Sequence, residues 1–305
     1  MVRAIPLLLI CALVAGCAGP SASPVESGSS SASASSSLSS SASASVEPQR
    51  FGELERRFGA RLGVYALDTG NGRTVTHRAD ERFAHASTFK ALLAAVLLRR
   101  LSDGDLRRVI RYTRADLLEW APITEKHVKT GMTVDALIAA AVQHSDNTAA
   151  NLLLRLTGGP EGVQRELRKI KDNTTDLSRY EPTLNTAVPG DKRDTSTPRA
   201  LGADLRAFVL GDVLPAPRRQ KLTDLLLGNT TGDTYIRAGV PSGWKVGDKT
   251  GSGGYGTRND IAVVWPPTGS PVIIAILSDR GRPDAPSADA LIAEATRAVV
   301  TALGR

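Results

Sequence analysis

Two residues with complementary chemistry lie three positions apart at the start of an apolar segment. Ser87 carries a hydroxyl and Lys90 an amine, and Ala and Leu dominate from Phe89 to Leu101. In a helix the two side chains share a face one turn apart, where a buried lysine that loses its proton readily can help to activate a serine nucleophile. Ser87 as an N-cap and Lys90 as a solvated lysine are the alternative. Since burying a lysine costs free energy, the apolar surroundings favour a catalytic pair.

Two further polar motifs interrupt regular segments. Residues 145–147, Ser-Asp-Asn, break an otherwise helical run from Thr133 to Leu156, and their alternative role is a local kink or cap. Residues 249–251, Lys-Thr-Gly, end a strand and are followed by Ser252 and two glycines, which would leave a backbone edge open to a ligand. Their alternative role is a hairpin turn. Each motif alone is ambiguous, but their order on helix, helix and strand favours one site.

The three motifs together resemble the signature of class A β-lactamases and penicillin-binding proteins. From about Arg50 to Arg305 the chain is similar to class A β-lactamases, including residues 179–185, Arg-Tyr-Glu-Pro-Thr-Leu-Asn, in a long loop. The resemblance implies an α/β two-domain fold, with an antiparallel sheet flanked by helices and an inserted all-helical domain. It also implies a serine hydrolase that opens the β-lactam ring through an acyl-enzyme and confers β-lactam resistance.

The resemblance implies a role for each reactive residue. Ser87 would be the nucleophile and Ser145 the proton relay to the leaving nitrogen, while either Lys90 or Glu181 would take the first proton from Ser87. Glu181 would then activate the water that hydrolyses the acyl-enzyme, with Asn185 helping to hold that water. Without the surrounding motif, Glu181 would be interpreted as a solvent-facing loop acid.

The resemblance also implies a set of substrate-binding groups. Most of them bind parts of the substrate or its oxyanion, and two residues would pin the ends of the loop as an ion pair. The binding groups are Asn147 for a side-chain carbonyl, Lys249, Thr250 and Arg258 for the carboxylate, Gly251 on the strand edge, the backbone N–H groups of Ser87 and Ser252 for the oxyanion, and Trp120 as an aromatic wall. The pinning pair is Arg179 with Asp194. Arg258 as a surface charge and Trp120 as a core residue are the alternatives.

Two other functions compete with this interpretation. A penicillin-binding D,D-peptidase shares the serine and lysine set, but Glu181 and Asn185 count against it because they supply hydrolysis. A non-catalytic, anchored β-lactam sensor would not need those groups. Ala86 and Gly253 lack the cysteines of the family's carbapenemase branch, and Ser252 resembles relatives that turn over cephalosporins. Penicillins and cephalosporins are therefore the expected substrates.

The periodicity predicts elements that could position these residues. A helix over 50–61 and a hairpin over 62–76 precede helices near 89–101, 133–156 and 161–169, a long loop over 171–198, and helices near 200–210 and 216–227. Strands near 245–249, 260–265 and 272–277 and a helix over 287–303 follow. Strands at both ends predict an α/β domain of residues 50–85 and 228–305 around an all-α domain of residues 86–227.

The N-terminal segment has the pattern of an export signal. Residues 1–16 contain Arg3, an apolar run and small residues before Cys17, which matches the acylated cysteine of bacterial lipoproteins. Residues 17–49, mostly Ser and Ala, predict a flexible tether. We expect an exported protein that is held at the outer face of the cell membrane by a lipid on Cys17 and can also be released from it. The alternative is an ordinary signal with an incidental cysteine.

Composition limits the remaining possibilities. The only cysteines among the 305 residues are Cys11 and Cys17, so we expect no disulfide in the folded part. The spacing of the four histidines matches no zinc site. The net charge of +7 is scattered among acids and aromatics are 4%, which argues against nucleic-acid binding. We therefore expect a monomer that needs no metal or cofactor and whose partners are β-lactams, water and the membrane.

Overall fold

The computed structural model describes the backbone of residues 39–305 and the side chains from residue 49 onward. The predicted signal of residues 1–16 and the lipid site at Cys17 lie outside the described residues. Helix α1 spans Ser39–Phe58, so it begins within the segment predicted to be a tether and earlier than the predicted start at residue 50. The alanines of that segment favour helix, and the helix ends where Gly59 adopts a positive φ of 55°.

A five-stranded antiparallel sheet organises the described residues. Its strand order is β2-β1-β9-β8-β7, so strands from the two ends of the chain lie side by side. The strands are β1 (Arg61–Asp68), β2 (Thr74–His77), β7 (Lys245–Ser252), β8 (Arg258–Trp265) and β9 (Val272–Asp279). Side chains alternate between two apolar cores: Ile261 and Val263 face one, and Ala262 and Val264 face the other. The sheet is therefore covered on both faces.

Helices form the two layers around the sheet. One face is covered by the first and the last helix together with the short helix just before β7, and the other face by the remaining helices. Within residues 39–305 the helices are α1, α2 (Phe89–Arg100), α3 (Asp103–Arg107), α4 (Val134–Gln143), α5 (Asn147–Thr157), α6 (Pro160–Lys169), α7 (Pro198–Val209), α8 (Ala216–Leu227), α9 (Ile236–Gly239) and α10 (Asp289–Ala302). Helix α2 is buried on nearly all sides, as its Ala and Leu content predicts.

Two short strand pairs were not predicted. Strand β3 (Phe83–Ala84) pairs with β6 (Thr195–Ser196), and β4 (Val109–Ile110) pairs with β5 (Met132–Thr133). A strand of only two residues has no periodicity in the sequence, so the hydrophobic pattern could not predict these four strands. The pairing of β3 with β6 ties the end of the 171–198 loop to the segment just before Ser87.

The predicted helix over 133–156 is two helices. Helix α4 ends at Gln143 and α5 begins at Asn147, because Ser145 adopts a positive φ of 56° and Asp146 caps α5 by accepting a hydrogen bond from the Ala149 N–H. The polar interruption seen in the sequence is therefore a complete break. Residues 39–305 form one compact unit, and the boundaries proposed between an α/β and an all-α domain stay a prediction.

Candidate active site

The 3₁₀ turn of residues 86–88 places Ser87 at the start of α2. Ala86 adopts a positive φ of 46°, and Ser87 is 7% exposed. The turn lies against strand β7, where a Cβ on Gly251 would approach the Ser87 nitrogen to 3.2 Å and the His85 carbonyl oxygen to 2.9 Å. Only glycine therefore allows the strand to approach the serine this closely.

Lys90 lies one turn further along α2 and is fully buried. Its Nζ lies 2.9 Å from Glu181 Oε1, and it donates to Asn147 Oδ1 at 2.6 Å and to the Ser145 carbonyl oxygen at 2.8 Å. Burial lowers the pKa of Lys90, while the Glu181 charge opposes that shift. The amine is thus held at the junction of three segments that the sequence separates widely.

Glu181 reaches the serine from the long loop. The Ser87 hydroxyl donates to Glu181 Oε1 at 3.5 Å, and the Asn185 amide donates to Glu181 Oε2. Asn185 is the last residue of a 3₁₀ turn, Thr183–Asn185, which begins two residues after Glu181, and the peptide bond between Glu181 and Pro182 is cis. The two loop residues that the sequence singled out therefore face the nucleophile.

Asn151 supports Glu181 and was missed by the sequence reasoning. The Glu181 N–H donates to Asn151 Oδ1 and the Asn151 amide donates to the Glu181 carbonyl oxygen, each at 2.9 Å. These two bonds fix the backbone of Glu181 to helix α5. A polar residue directly before the three leucines of an apolar helix was the available signal.

The 171–198 loop is anchored at both ends. Arg179 pairs with Asp194, which is fully buried and also accepts from the backbone N–H groups of Ser178 and Arg179 at 2.8 and 3.0 Å. The ion pair expected between Arg179 and Asp194 is present in the structure. Arg82 adds bonds to the carbonyl oxygens of Thr174 and Thr195 at 2.7 and 3.4 Å.

Ser145 lies between the two lysines. Lys249 Nζ donates to Ser145 Oγ at 3.1 Å, and Lys90 Nζ lies 3.4 Å from the same oxygen. Its orientation depends on the break between α4 and α5, which Asp146 maintains by accepting from the backbone N–H groups of Ile123 and Thr124. A proton on Ser145 can therefore be exchanged with either side of the cleft.

Strand β7 brings Lys249 and Thr250 to the cleft. Lys249 is fully buried, and burial together with the charge of Lys90 lowers its pKa to about 7. The Thr250 hydroxyl lies 2.6 Å from the Thr231 hydroxyl. Beneath the strand, Asp248 pairs with Arg237 at 2.7 Å, which places a compensated carboxylate next to Lys249 in sequence.

The side chains of Arg258 and Trp120 form their hydrogen bonds with residues outside this cluster. Arg258 Nε donates to Asp289 Oδ1 at 2.9 Å, a partner that the sequence reasoning did not identify. Trp120 is 55% exposed, so it is not a core residue, and its indole donates to the His144 carbonyl oxygen at 3.0 Å. Its own carbonyl oxygen accepts from the Asn147 N–H at 2.8 Å, which links the tryptophan to the start of α5.

The arrangement joins six of the predicted side chains through hydrogen bonds or ion pairs. They are Ser87, Lys90, Ser145, Asn147, Glu181 and Lys249, and Asn185 joins them through Glu181. Among the side chains described from residue 49 onward, no cluster of three or more His, Cys, Asp or Glu could hold a metal ion. A hydroxyl beside a buried amine and a carboxylate suits nucleophilic acyl transfer.

Comparison with known proteins agrees with this chemistry. Residues 49–303 match the model of the β-lactamase enzyme family. The chain is 54% identical to the β-lactamase AST-1 of Nocardia asteroides over 298 residues, which are 97% of this chain and 95% of that protein. It is 58% identical to a β-lactamase of Amycolatopsis lactamdurans over 256 residues, which are 84% and 85% of the two chains.

Solved structures show the same likeness. The crystal structure of a class A β-lactamase from Clostridium kluyveri superimposes with a TM-score of 0.83 at 46% identity, covering 85% of this chain and 98% of that chain. Sheet, inserted helices and serine site together define a serine hydrolase of the β-lactamase type. The chain belongs to the β-lactamase enzyme family, and within it to class A.

The predicted fold class is confirmed, and so is the enzyme class. Two solved β-lactamase structures superimpose on this chain with TM-scores of 0.82 and 0.83, and this likeness carries the fold class. Within the part of the chain that the structure describes, no helix is long and apolar enough to cross a membrane.

Proposed function

We propose that this β-lactamase hydrolyses penicillins and cephalosporins through an acyl-enzyme on Ser87, which water activated by Glu181 then releases. The observation that carries the proposal is the position of the Glu181 carboxylate, whose Oε1 faces both Ser87 Oγ and Lys90 Nζ. A carboxylate there can serve the serine first and a water molecule afterwards.

In the acylation step, Ser87 Oγ attacks the β-lactam carbonyl carbon. The hydroxyl proton passes to Lys90 or to Glu181, and these two acceptors remain alternatives. The N–H groups of Ser87 and Ser252 would receive the oxyanion, and each such donor contributes about 3 kcal/mol of transition-state stabilisation. The C–N bond then breaks, and Ser145 delivers a proton to the ring nitrogen.

In the deacylation step, a water molecule replaces the serine hydroxyl as the nucleophile. Glu181 accepts a proton from that water, and the Asn185 amide, which already contacts Glu181, helps to orient it. Attack on the ester carbon releases the opened β-lactam as a carboxylate and returns the proton to Ser87. Asn151 acts as a positioning residue because it holds the backbone of Glu181.

The remaining polar groups of the cleft would bind the substrate. Lys249 and Thr250 would receive the substrate carboxylate, with Arg258 assisting from strand β8, and Asn147 would hold the side-chain carbonyl. Gly251 leaves the strand edge accessible, and the exposed ring of Trp120 would form a wall at the entrance. These contacts would align the β-lactam carbonyl with Ser87.

A Glu181→Gln variant tests the proposal. We expect wild-type enzyme to turn over a chromogenic cephalosporin, and the variant to release one burst of product and then accumulate an acyl-enzyme visible by mass spectrometry. Glu119→Gln changes an exposed glutamate and is the matched control. A variant that deacylates at the wild-type rate would remove Glu181 from the mechanism. A wild-type enzyme that stays acylated would instead indicate a D,D-peptidase.

We also propose that the protein is exported and anchored through a lipid on Cys17. The support is the apolar run before Cys17 and the Ser- and Ala-rich segment after it. Two acyl chains would hold the enzyme firmly at the membrane, whereas one binds only marginally. Mass spectrometry of the mature N-terminus should show a diacylglyceryl cysteine, and an unmodified Cys17 would exclude the anchor.

A further inference from the structure

A pocket lies against the 171–198 loop. Its volume is about 350 Å³, within the range of roughly 300–1,000 Å³ typical of small-molecule sites. It lies between the last part of the loop and the segment that leads into β3. Its lining includes none of the catalytic or substrate-binding residues named above.

Two cations in the pocket wall have no carboxylate partner among residues 49–305. The Arg82 guanidinium donates to the carbonyl oxygens of Thr174 and Thr195 and to the Thr195 hydroxyl, all of which are uncharged. Lys192 is exposed and forms no ion pair among the described residues. The other two cations of the wall, Arg61 and Arg193, are compensated by Asp279 and Asp191. The pocket therefore carries a net positive charge.

An apolar wall accompanies this charge. Val188 is 45% exposed, although apolar side chains of its size are usually buried, and Ala84, Ala187 and Pro189 continue the surface. The Phe83 ring also lines the pocket, and the Arg61 guanidinium stacks on it at 3.8 Å from the ring centre. Charge and apolar surface thus occur together in one concave site.

Thr257 provides an independent indication of a ligand. It lines the same pocket, is 1% exposed, and its Oγ1 has no hydrogen-bond partner within the described residues. Burying a hydroxyl without a hydrogen bond is unfavourable, so most such groups find a partner. A ligand oxygen in the pocket would supply one.

We propose that this pocket binds a small organic anion that carries one carboxylate and an aryl or branched alkyl group. The carboxylate pairs with Arg82 and Lys192 and accepts from the Thr257 hydroxyl, while the apolar group packs on Val188 and Pro189. The site is separate from the one that receives the substrate carboxylate at Lys249 and Thr250.

Titration of the full chain with phenylacetate, followed by amide NMR shifts, tests this proposal. We expect saturable shifts at Val188 and Lys192 at millimolar concentrations. Lys192→Glu should weaken binding at these positions at least about tenfold, because one attractive charge becomes repulsive. Lys129→Glu reverses the charge of an exposed lysine outside the pocket and is the matched control, with an expected change below about twofold.

Two further variants separate the pocket from the active site. Val188→Asp should abolish the shifts at Lys192, while its circular dichroism spectrum and Tm stay at the wild-type values, which shows that the variant is folded. Lys249→Ala should leave the shifts at Val188 and Lys192 unchanged. Shifts confined to the active-site cleft, equal weakening by the two charge reversals, or no saturable shift would each overturn the proposal.

Discussion

Lys249 shows how burial of one residue sets a working range of pH. Its side chain is fully enclosed and lies near Lys90, so its pKa falls to about 7. Below that pH the amine is charged and can pair with a substrate carboxylate. Above it the free enzyme holds a growing fraction of neutral lysine, and an anionic substrate must restore the proton on binding.

We therefore expect KM for an anionic β-lactam to rise about fivefold between pH 7 and pH 8, because the competent fraction of free enzyme falls. Lys249→Arg should flatten this rise, since arginine keeps its charge throughout the range. Lys245→Arg, at the exposed end of the same strand, should leave it unchanged. Steady-state kinetics across pH 6–9 measure both, and an equally steep rise in Lys249→Arg would exclude Lys249 as its cause.

The reactive residues could be predicted from the sequence because their chemistry leaves little choice of side chain and three motifs place them in order. Their supports could not. Asn151 holds the backbone of Glu181, and Asp289 pairs with Arg258, through contacts that join positions 30 and 31 residues apart. Many Asn and Asp residues could form such contacts, and only the fold selects these two.

The 171–198 loop is the element on which deacylation depends, and its ion pair gives a test at that scale. Arg179→Ala leaves Asp194 buried without its partner, a change that typically costs about 3–5 kcal/mol. The backbone donors of Asp194 remain, so we expect Arg179→Ala to lower the free energy of unfolding, measured in urea, by about 3 kcal/mol. Deacylation should also be slower. Arg193→Ala removes an exposed arginine from the same loop and should change stability little. Equal losses in both variants would contradict a pinning role.

A pair of acids ties the start of this loop to helix α7. Asp172 accepts from the N–H groups of Thr174 and Thr175 at 2.8 and 3.0 Å, and these bonds keep its pKa low although burial opposes them. Burial and the adjacent Asp172 charge raise the pKa of Asp204 well above 3.8. Asp204 is therefore protonated where an ordinary aspartate is not, and can donate to Asp172.

This raised pKa predicts a pH-dependent stability. The folded state binds more protons than the unfolded state above pH 3.8, so the stabilising contribution is complete below that pH and is lost as the pH rises toward the folded pKa. Asp204→Asn keeps a donor without titrating, so thermal unfolding should show its stability relative to wild type improving from pH 4 to pH 8. Asp212→Asn, at an exposed site, should show no such trend. A pH-independent difference for Asp204→Asn would rule out the shared proton.

Elements were predictable where their periodicity was long. Helix α2 and strands β8 and β9 follow from apolar runs, whereas the two-residue strands and the early start of α1 do not. The break after α4 was visible as three polar residues, but the left-handed conformation of Ser145 was not. That conformation depends on contacts of Asp146 with residues 123 and 124, which local sequence does not contain.

For the whole molecule, the compact unit of residues 39–305 predicts which part of the chain carries activity. A chain that starts at Ser39 should keep wild-type kcat/KM and Tm, since the core residues lie downstream. Within that chain, Phe51→Ala should lower the free energy of unfolding by about 3–5 kcal/mol, because the ring is 1% exposed and packs in the core beside α10. Thermal and urea unfolding measure the difference. A large loss of Tm on truncation alone would show that earlier residues belong to the fold.

The neighbouring positions of the first and last long strands have a consequence for the timing of folding. Strand β1 pairs along its length with β9, and Arg61 bonds to Asp279 across 218 positions of sequence. Contacts between such distant segments form slowly, because a long loop must close before they are made. During synthesis the central sheet therefore stays incomplete until strand β9 has been produced, more than 200 residues after β1.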